Sequence, residues 1–129
     1  MHSDPTDLRD LIERWTRAVD DRDVDTLRDL AHSDIECQPL KLTGDGAYTG
    51  HDGIALWIQD RTAQAPSVRV RLERVVVLSD ERVAAFGTVE LGGTDLSPYA
   101  VVAIAREGKI AKIRSYLSDE ATMDRLGLL

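Results

Sequence analysis

The chain has 129 residues, of which 43% are hydrophobic and 30% are charged, so it has the length of one domain with a single core. Acidic residues outnumber basic ones by 23 to 16, and the net charge of −7 disfavours binding to nucleic acid or to an anionic membrane. The single cysteine, Cys37, excludes an intrachain disulfide, and a reducing cytoplasm is the expected location. No stretch is apolar enough to predict a membrane span, so we expect a soluble protein.

The first half of the chain has helical periodicity. Asp4 and Pro5 form a helix start, which predicts a first helix from there to about residue 20. A second helix is predicted from Asp23 to about His32, and a third one has Asp52 in its first turn and ends before Ala65. The residues predicted to face the core recur at spacings of three and four. They are Leu8, Leu11, Ile12, Trp15, Ala18 and Val19 in the first helix, Val24, Leu27, Leu30 and Ala31 in the second, and Ile54, Trp57 and Ile58 in the third.

Extended segments complete the predicted fold. A short strand, 35–38, is stopped by Pro39, and a glycine-rich loop covers 43–53. Four long strands, at 68–78, 83–91, 96–105 and 110–117, are separated by short polar turns, which predicts an antiparallel meander. A short last helix follows, with Ser118 as N-cap and Gly127 after its last turn.

Helices first and strands after them predict the α+β class. We expect a cone-shaped, curved antiparallel sheet packed against three N-terminal helices, with a short C-terminal helix. The space between the helices and the concave face of such a sheet is a natural pocket for a small molecule.

Two segments, 48–54 (Tyr-Thr-Gly-His-Asp-Gly-Ile) and 114–119 (Arg-Ser-Tyr-Leu-Ser-Asp), carry a family resemblance. Together with the order of elements they resemble the nuclear transport factor 2-like superfamily and, within it, the SnoaL-like group, whose members are similar to polyketide cyclases and ketosteroid isomerases. The resemblance covers almost the whole chain and implies one SnoaL-like domain, 1–129. It further implies a pocket for a hydrophobic cyclic or carbonyl compound and a homodimer.

The acid/base residues of ketosteroid isomerases are replaced in this chain. The resemblance places Trp15 where those enzymes have a hydrogen-bonding tyrosine, Gln38 before Pro39 where they have the aspartate base, and Val101 near their second acid. Because glutamine cannot accept a proton at neutral pH, we predict that the protein is not a ketosteroid isomerase. If it is an enzyme, an isomerase, cyclase, lyase or hydrolase reaction without a cofactor is expected.

Glu36 is the candidate general base if its side chain faces the cavity. It shares its face with Gln38, so if Gln38 faces the cavity, as the resemblance implies, burial would raise the pKa of Glu36 into a useful range. In the alternative arrangement, Ile35 and Cys37 point inward and Glu36 lies in water, which the hydrophobicity of the strand favours.

The other candidates are a histidine and a set of pocket residues. His51, at the start of the third helix, is either a proton shuttle at the cavity mouth or an ordinary exposed residue.

No histidine pair has helical ligand spacing and no cysteine cluster exists, so neither a metal nor a cofactor is predicted. An epoxide hydrolase relative would need an Asp-Arg-Asp arrangement inside the cavity, and the charged residues of the strands mainly alternate outward, which disfavours that reaction. The alternative to an enzyme is a non-catalytic ligand-binding or dimerisation module. The predicted ligand-binding residues are Trp15, Gln38, Tyr99, Val101 and Leu117.

Overall fold

The computed structural model describes residues 5–39, 47–64, 68–91 and 95–129. The predicted cap Asp4, loop residues 43–46, the helix end at Ala65 and the turn at 92–94 lie outside these ranges. No helix within them is long and apolar enough to cross a membrane. The elements in chain order are α1 (Pro5–Asp20), α2 (Val24–Leu30), β1 (Ala31–Gln38), β2 (Tyr48–Thr49), α3 (Gly50–Gln64), β3 (Arg69–Val77), β4 (Arg82–Leu91), β5 (Asp95–Arg106), β6 (Lys109–Tyr116) and α4 (Glu120–Arg125).

The three N-terminal helices form as the apolar spacing predicts. Every predicted core residue of α1 and α3 is buried, with at most 8% of its surface exposed. In α2, Leu27 and Leu30 are buried, and the Asp23 carboxylate caps the helix by accepting a hydrogen bond from the Thr26 N–H at 3.2 Å. The predicted end of this helix near His32 is wrong, because Ala31 is already extended and pairs with Ile110 of β6.

The strands form one six-stranded sheet in the order β2-β1-β6-β5-β4-β3. The meander of β3 to β6 is antiparallel, as predicted, whereas β1 joins β6 in parallel. Tyr48 and Thr49, predicted as loop, form β2, which pairs with β1 at the other end of the sheet from β3. With α1 against β3 and α3 against β1, the helices lie on one face of a curved, unclosed sheet, which confirms the α+β class.

The opposite face of the sheet carries a second, smaller apolar cluster, which we call the outer cluster: Ala84, Phe86, Ala100 and Met123. Met123 belongs to α4, so the C-terminal helix packs on the outer face, away from the other three helices. Its N-cap is Asp119, which accepts from the Thr122 N–H at 2.8 Å, and the prediction of Ser118 is wrong. Tyr116 packs against the outer cluster, in agreement with its predicted place on the convex face.

Candidate functional site

The predicted base, Glu36, lies on the outer face of the sheet. Its carboxylate is exposed and stands 3.9 Å from the Lys112 ammonium, with both side chains 57% exposed. The preceding and following residues, Ile35 and Cys37, are buried in the core. Of the two orientations that the sequence leaves open for this strand, the structure has the one with the apolar side chains inward, which the hydrophobicity favours, and its exposure removes Glu36 as a buried general base.

Gln38, two residues after Glu36 on the same strand, also points to the outer face. Its side-chain oxygen accepts a hydrogen bond of 2.7 Å from the Arg114 guanidinium on the neighbouring strand β6, and this contact is exposed. The expectation that Gln38 faces a ligand inside the sheet is wrong.

His51 lies in the first turn of α3 and is bound to the adjacent strand. Its Nε2 is 3.1 Å from the carbonyl oxygen of Ala31, and its own carbonyl oxygen lies 3.5 Å from Nε of Arg28. These contacts join α3 to the junction of α2 and β1. The ring is half-buried in this junction.

Three of the predicted ligand-binding residues do lie inside the fold. Trp15, Tyr99 and Val101 are buried in the core between the helices and the sheet. Trp15 stacks on Trp57, with ring centroids 6.1 Å apart and planes 16° from parallel. Leu117, by contrast, is 54% exposed directly after β6, so its predicted place in the pocket is wrong.

Tyr99 brings a hydroxyl group into this apolar core. The hydroxyl lies 2.8 Å from Oγ of Ser115, two strand positions beyond the buried Ile113 on β6. Burial raises the pKa of Tyr99 to about 12, and the hydrogen bond with Ser115 opposes that rise. Tyr99 is therefore a neutral hydrogen-bonding group over the physiological range.

A largely buried ion pair joins the end of α1 to α3. Asp20 Oδ1, at the end of α1, is 3.4 Å from Nη2 of Arg61 in α3, and both side chains are largely buried. The same Arg61 nitrogen donates to the carbonyl oxygen of Val68 at 2.9 Å, and Asp20 accepts from the Val70 N–H at 3.4 Å. The pair therefore joins α1, α3 and the beginning of β3.

The pKa shifts relate this ion pair to the buried tyrosine. Burial raises the pKa of Asp20, although the Val70 N–H and the Arg61 charge both act to lower it. Burial likewise lowers the pKa of Arg61, which Asp20 opposes. The Arg61 charge lowers the pKa of Tyr99 and the Asp20 charge raises it, so these groups share one electrostatic environment. We call Asp20, Arg61, Tyr99 and Ser115 the interior polar cluster.

One donor of the interior polar cluster has no acceptor. Nε of Arg61 is buried and has no hydrogen-bond partner among the described residues. Since buried N–H groups are almost always paired, this orphan donor is a distinctive feature of the site.

Asp20 also faces a groove between α1 and the edge strand β3. The groove has a volume of about 420 Å³, within the usual size of small-molecule sites. Its apolar floor includes Val70 and Leu72, and its α1 wall carries Glu13, Arg17 and Asp20. The groove therefore leads from the surface to the Asp20 end of the interior polar cluster.

A further tyrosine lies on the β2 side of the core. The Tyr48 hydroxyl donates to Asp60 Oδ2 at 2.8 Å. Burial, together with this hydrogen bond and the charge of Asp60, raises the pKa of Tyr48 to about 12. A charge on the buried Cys37 would raise the pKa of both Tyr48 and Tyr99.

Comparison with known proteins identifies the family. Residues 12–123 match the model of the SnoaL-like domain. The chain belongs to the SnoaL-like family. A search of curated proteins gave no match.

Solved structures share the fold of this SnoaL-like chain at low sequence identity. TerC, co-crystallised with polyporic acid, is 22% identical with a TM-score of 0.74, over 91% of this chain and 95% of its own. IdmH from Streptomyces antibioticus, a proposed polyketide cyclase, is 21% identical with a TM-score of 0.66, over 92% of this chain and 97% of its own. A protein from Catenulispora acidiphila with a ketosteroid isomerase-like fold, in complex with trimethylamine, is 17% identical with a TM-score of 0.70, over 91% of this chain and 92% of its own.

Three members of the interior polar cluster of this SnoaL-like chain, Asp20, Arg61 and Ser115, are not among the predicted site residues. Arg61 follows Ile54, Trp57 and Ile58 at helical spacing, so it belongs to the inward side of α3. Ser115 has the inward parity of Ile113. Helix and strand spacing could therefore have located Arg61 and Ser115 on the inner side, whereas Asp20 lies outside the apolar stripe of α1.

Proposed function

We propose that this SnoaL-like protein binds a hydrophobic cyclic carbonyl compound on the inner side of the sheet, beside the interior polar cluster. The observation that carries this proposal is the Tyr99–Ser115 hydroxyl pair, 2.8 Å apart and set in an otherwise apolar inner surface. If Ser115 donates to Tyr99, the tyrosine proton is available for the carbonyl oxygen of a ligand. The stacked Trp15 and Trp57 rings lie in the same buried core as Tyr99 and form part of the apolar surroundings of the hydroxyl pair.

We further propose acid/base chemistry on this compound, with Asp20 as the base. Asp20 would remove a proton from the carbon next to the carbonyl group, Tyr99 would donate a hydrogen bond to the enolate oxygen, and the proton would return to carbon at a new position or from water. Burial raises the pKa of Asp20, which strengthens it as a base. Such an enolisation is a step common to isomerase and cyclase reactions.

The second candidate is a binding protein without chemistry. Asp20 is already engaged by Arg61 and by the Val70 N–H, which favours a structural role for this carboxylate. In this alternative the aromatic wall and the hydroxyl pair hold a ligand, and no proton moves.

Isotope exchange distinguishes the two candidates. With β-tetralone in heavy water, the catalytic proposal predicts uptake of deuterium next to the carbonyl faster than in buffer, followed by mass spectrometry. The Asp20→Asn variant should bind the ketone, as judged by tryptophan fluorescence, but lose the accelerated exchange. Binding with no acceleration in the wild type supports the second candidate, and absence of binding overturns both. Glu36→Gln, on the outer face, is the matched control and should exchange like the wild type.

We also propose that the protein is a cytoplasmic homodimer. The single buried cysteine is compatible with a reducing compartment, and the outer face of the sheet presents Arg69, Arg71, Lys112 and Arg114 beside the outer cluster. Sedimentation at micromolar concentration tests the assembly, and a species of 14.3 kDa would contradict it.

A further inference from the structure

The outer edge of strand β3 is bound by helix side chains and not by another strand. β3 pairs with β4 on one side and is the last strand of the sheet, so its other edge has no strand neighbour among the described residues. The backbone N–H and C=O groups of such an edge are a template on which a second chain can pair. Whatever occupies these groups therefore controls whether the edge can associate.

The ion pair described above occupies the beginning of this edge. Nη2 of Arg61 donates to the carbonyl oxygen of Val68, directly before β3, at 2.9 Å. The Val70 N–H donates to Oδ1 of Asp20 at 3.4 Å. Both helices that supply these side chains, α1 and α3, are therefore fastened to the backbone of the edge.

A third side chain, Arg9 of α1, binds the same edge further along. Its Nη1 donates to the carbonyl oxygen of Val75 at 2.8 Å. Backbone groups of a strand point alternately to its two edges, so Val70 and Val75, five residues apart, would point to opposite edges in a regular strand. The bulge between Leu72 and Arg74 adds one residue to β3 and brings Val75 back to the free edge. We call the hydrogen bonds to Val68, Val70 and Val75 the edge contacts.

Arg9 binds where β3 has least protection of its own. Four of the six residues in 69–74 are charged, and the bulge interrupts the strand there, which are two features that hinder edge pairing. Residues 75–78 are Val-Val-Val-Leu, a run without charge, proline or glycine. Short segments of this kind pair readily with copies of themselves. The Arg9 contact lies at the first residue of this run.

From these contacts we infer that Arg9, helped by Asp20 and Arg61, blocks the free edge of β3 against pairing with β3 of a second copy of the chain. In an antiparallel pair about a twofold axis, the run 75–78 of one copy lies against the same run of the other. The Val75 carbonyl group, which Arg9 occupies, is one of the groups that this pairing needs. The inference is independent of the proposed ligand and of the homodimer proposed above, because it concerns the sheet edge and neither the core nor the outer face.

A peptide copy of β3 tests the inference. The fluorescently labelled peptide Arg-Val-Arg-Leu-Glu-Arg-Val-Val-Val has the sequence of residues 69–77, and a matched peptide with N-methylvaline at its last three positions lacks the pairing N–H groups. We expect Arg9→Ala to bind the first peptide about tenfold more tightly than the wild type does, by fluorescence anisotropy, since one edge hydrogen bond becomes available. The N-methylated peptide should show no such gain.

Two control variants separate the edge contact from a general effect of charge. Arg9→Lys keeps a donor at this position and should bind the peptide as weakly as the wild type. Arg14→Ala removes another exposed arginine of α1, whose partner is Asp10, and should also bind like the wild type. A gain in Arg14→Ala equal to that in Arg9→Ala would mean that the helix charge, and not the edge contact, excludes the peptide, and would overturn the inference.

Hydrogen exchange and sedimentation complete the test. In Arg9→Ala with the peptide bound, the backbone amides of Val75 and Val77 should exchange more slowly, because both point to the free edge, whereas those of α4 on the outer face should not change. Without peptide, Arg9→Ala should sediment at twice the mass of the wild type at high concentration. Equal peptide affinities of Arg9→Ala and the wild type, protection away from β3, or an unchanged mass would overturn the inference.

Discussion

Gly87 of β4 lies directly against the backbone of Arg71 on β3. A Cβ atom built on Gly87 would overlap the Arg71 carbonyl oxygen and come within 3.0 Å of the Leu72 Cα. The contact occurs where the register of the two strands shifts, between Leu72 and Arg74. The bulge therefore depends on a residue without a side chain at position 87.

We predict that Gly87→Ala destabilises the fold by about 3 kcal/mol or more, because the backbone of β3 must move to admit the methyl group. Urea unfolding measures the loss. Gly108→Ala is the control: Gly108 has a φ of +78° but nothing within 4 Å of an added Cβ, so only the backbone conformation opposes the change. It should cost about 1 to 2 kcal/mol. Equal losses in the two variants would contradict the proposed backbone overlap.

The fold could be predicted from this sequence because apolar spacing and turn residues determine it. The inward stripe of α1 and the meander of four strands follow directly from periods of 3.6 and two. For Glu36 two signals disagree: the family resemblance predicts a position in the cavity, whereas the hydrophobicity of Ile35 and Cys37 predicts the exposed position that the structure has. The pairing of Asp20 with Arg61 depends on where the ends of two helices meet, and local spacing carries no information about such a distance.

Met123 is the anchor of α4 on the outer face. It is fully buried in the outer cluster, and the helix itself has only six residues, too few to be stable without packing. We predict that Met123→Ala lowers the unfolding free energy by about 2 kcal/mol or more. Leu126, which is 64% exposed, provides the comparison, and its change to alanine should cost no more than about 0.5 kcal/mol. A Met123→Ala variant as stable as Leu126→Ala would argue against this docking of α4.

The raised pKa of Asp20 predicts a pH dependence of stability. Asp20 faces Arg61, the Val70 N–H, Arg69 and Asp21, and burial outweighs the groups that lower its pKa from 3.8. The folded protein therefore holds this proton more tightly than the unfolded chain. The stabilisation that results is fully present below pH 3.8 and is lost as the pH rises through the folded-state pKa.

Asp20→Asn removes this contribution. Relative to the wild type, the variant should gain stability as the pH rises from below 3.8 to neutrality, whatever the constant offset between the two proteins. Urea unfolding at a series of pH values gives the difference. A difference that moves in the opposite direction would mean that the Arg61 charge, and not burial, dominates the environment of Asp20.

Two of the three tyrosines, Tyr48 and Tyr99, should ionise only in strong alkali. Burial raises the pKa of each from 10.0 to about 12, with Asp60 adding to the rise for Tyr48. Because both folded-state values lie above the unfolded value, the two groups stabilise the fold fully below pH 10.0 and lose that contribution as the pH approaches about 12.

Ultraviolet absorbance after a rapid pH jump, recorded before unfolding, reads the phenolate formed in the folded state. Tyr48→Phe and Tyr99→Phe should each remove one tyrosine from the step near pH 12. A Tyr99 that ionises near pH 10.0 in the folded protein would be in contact with water, and the buried hydroxyl pair on which the proposed site rests would then be wrong.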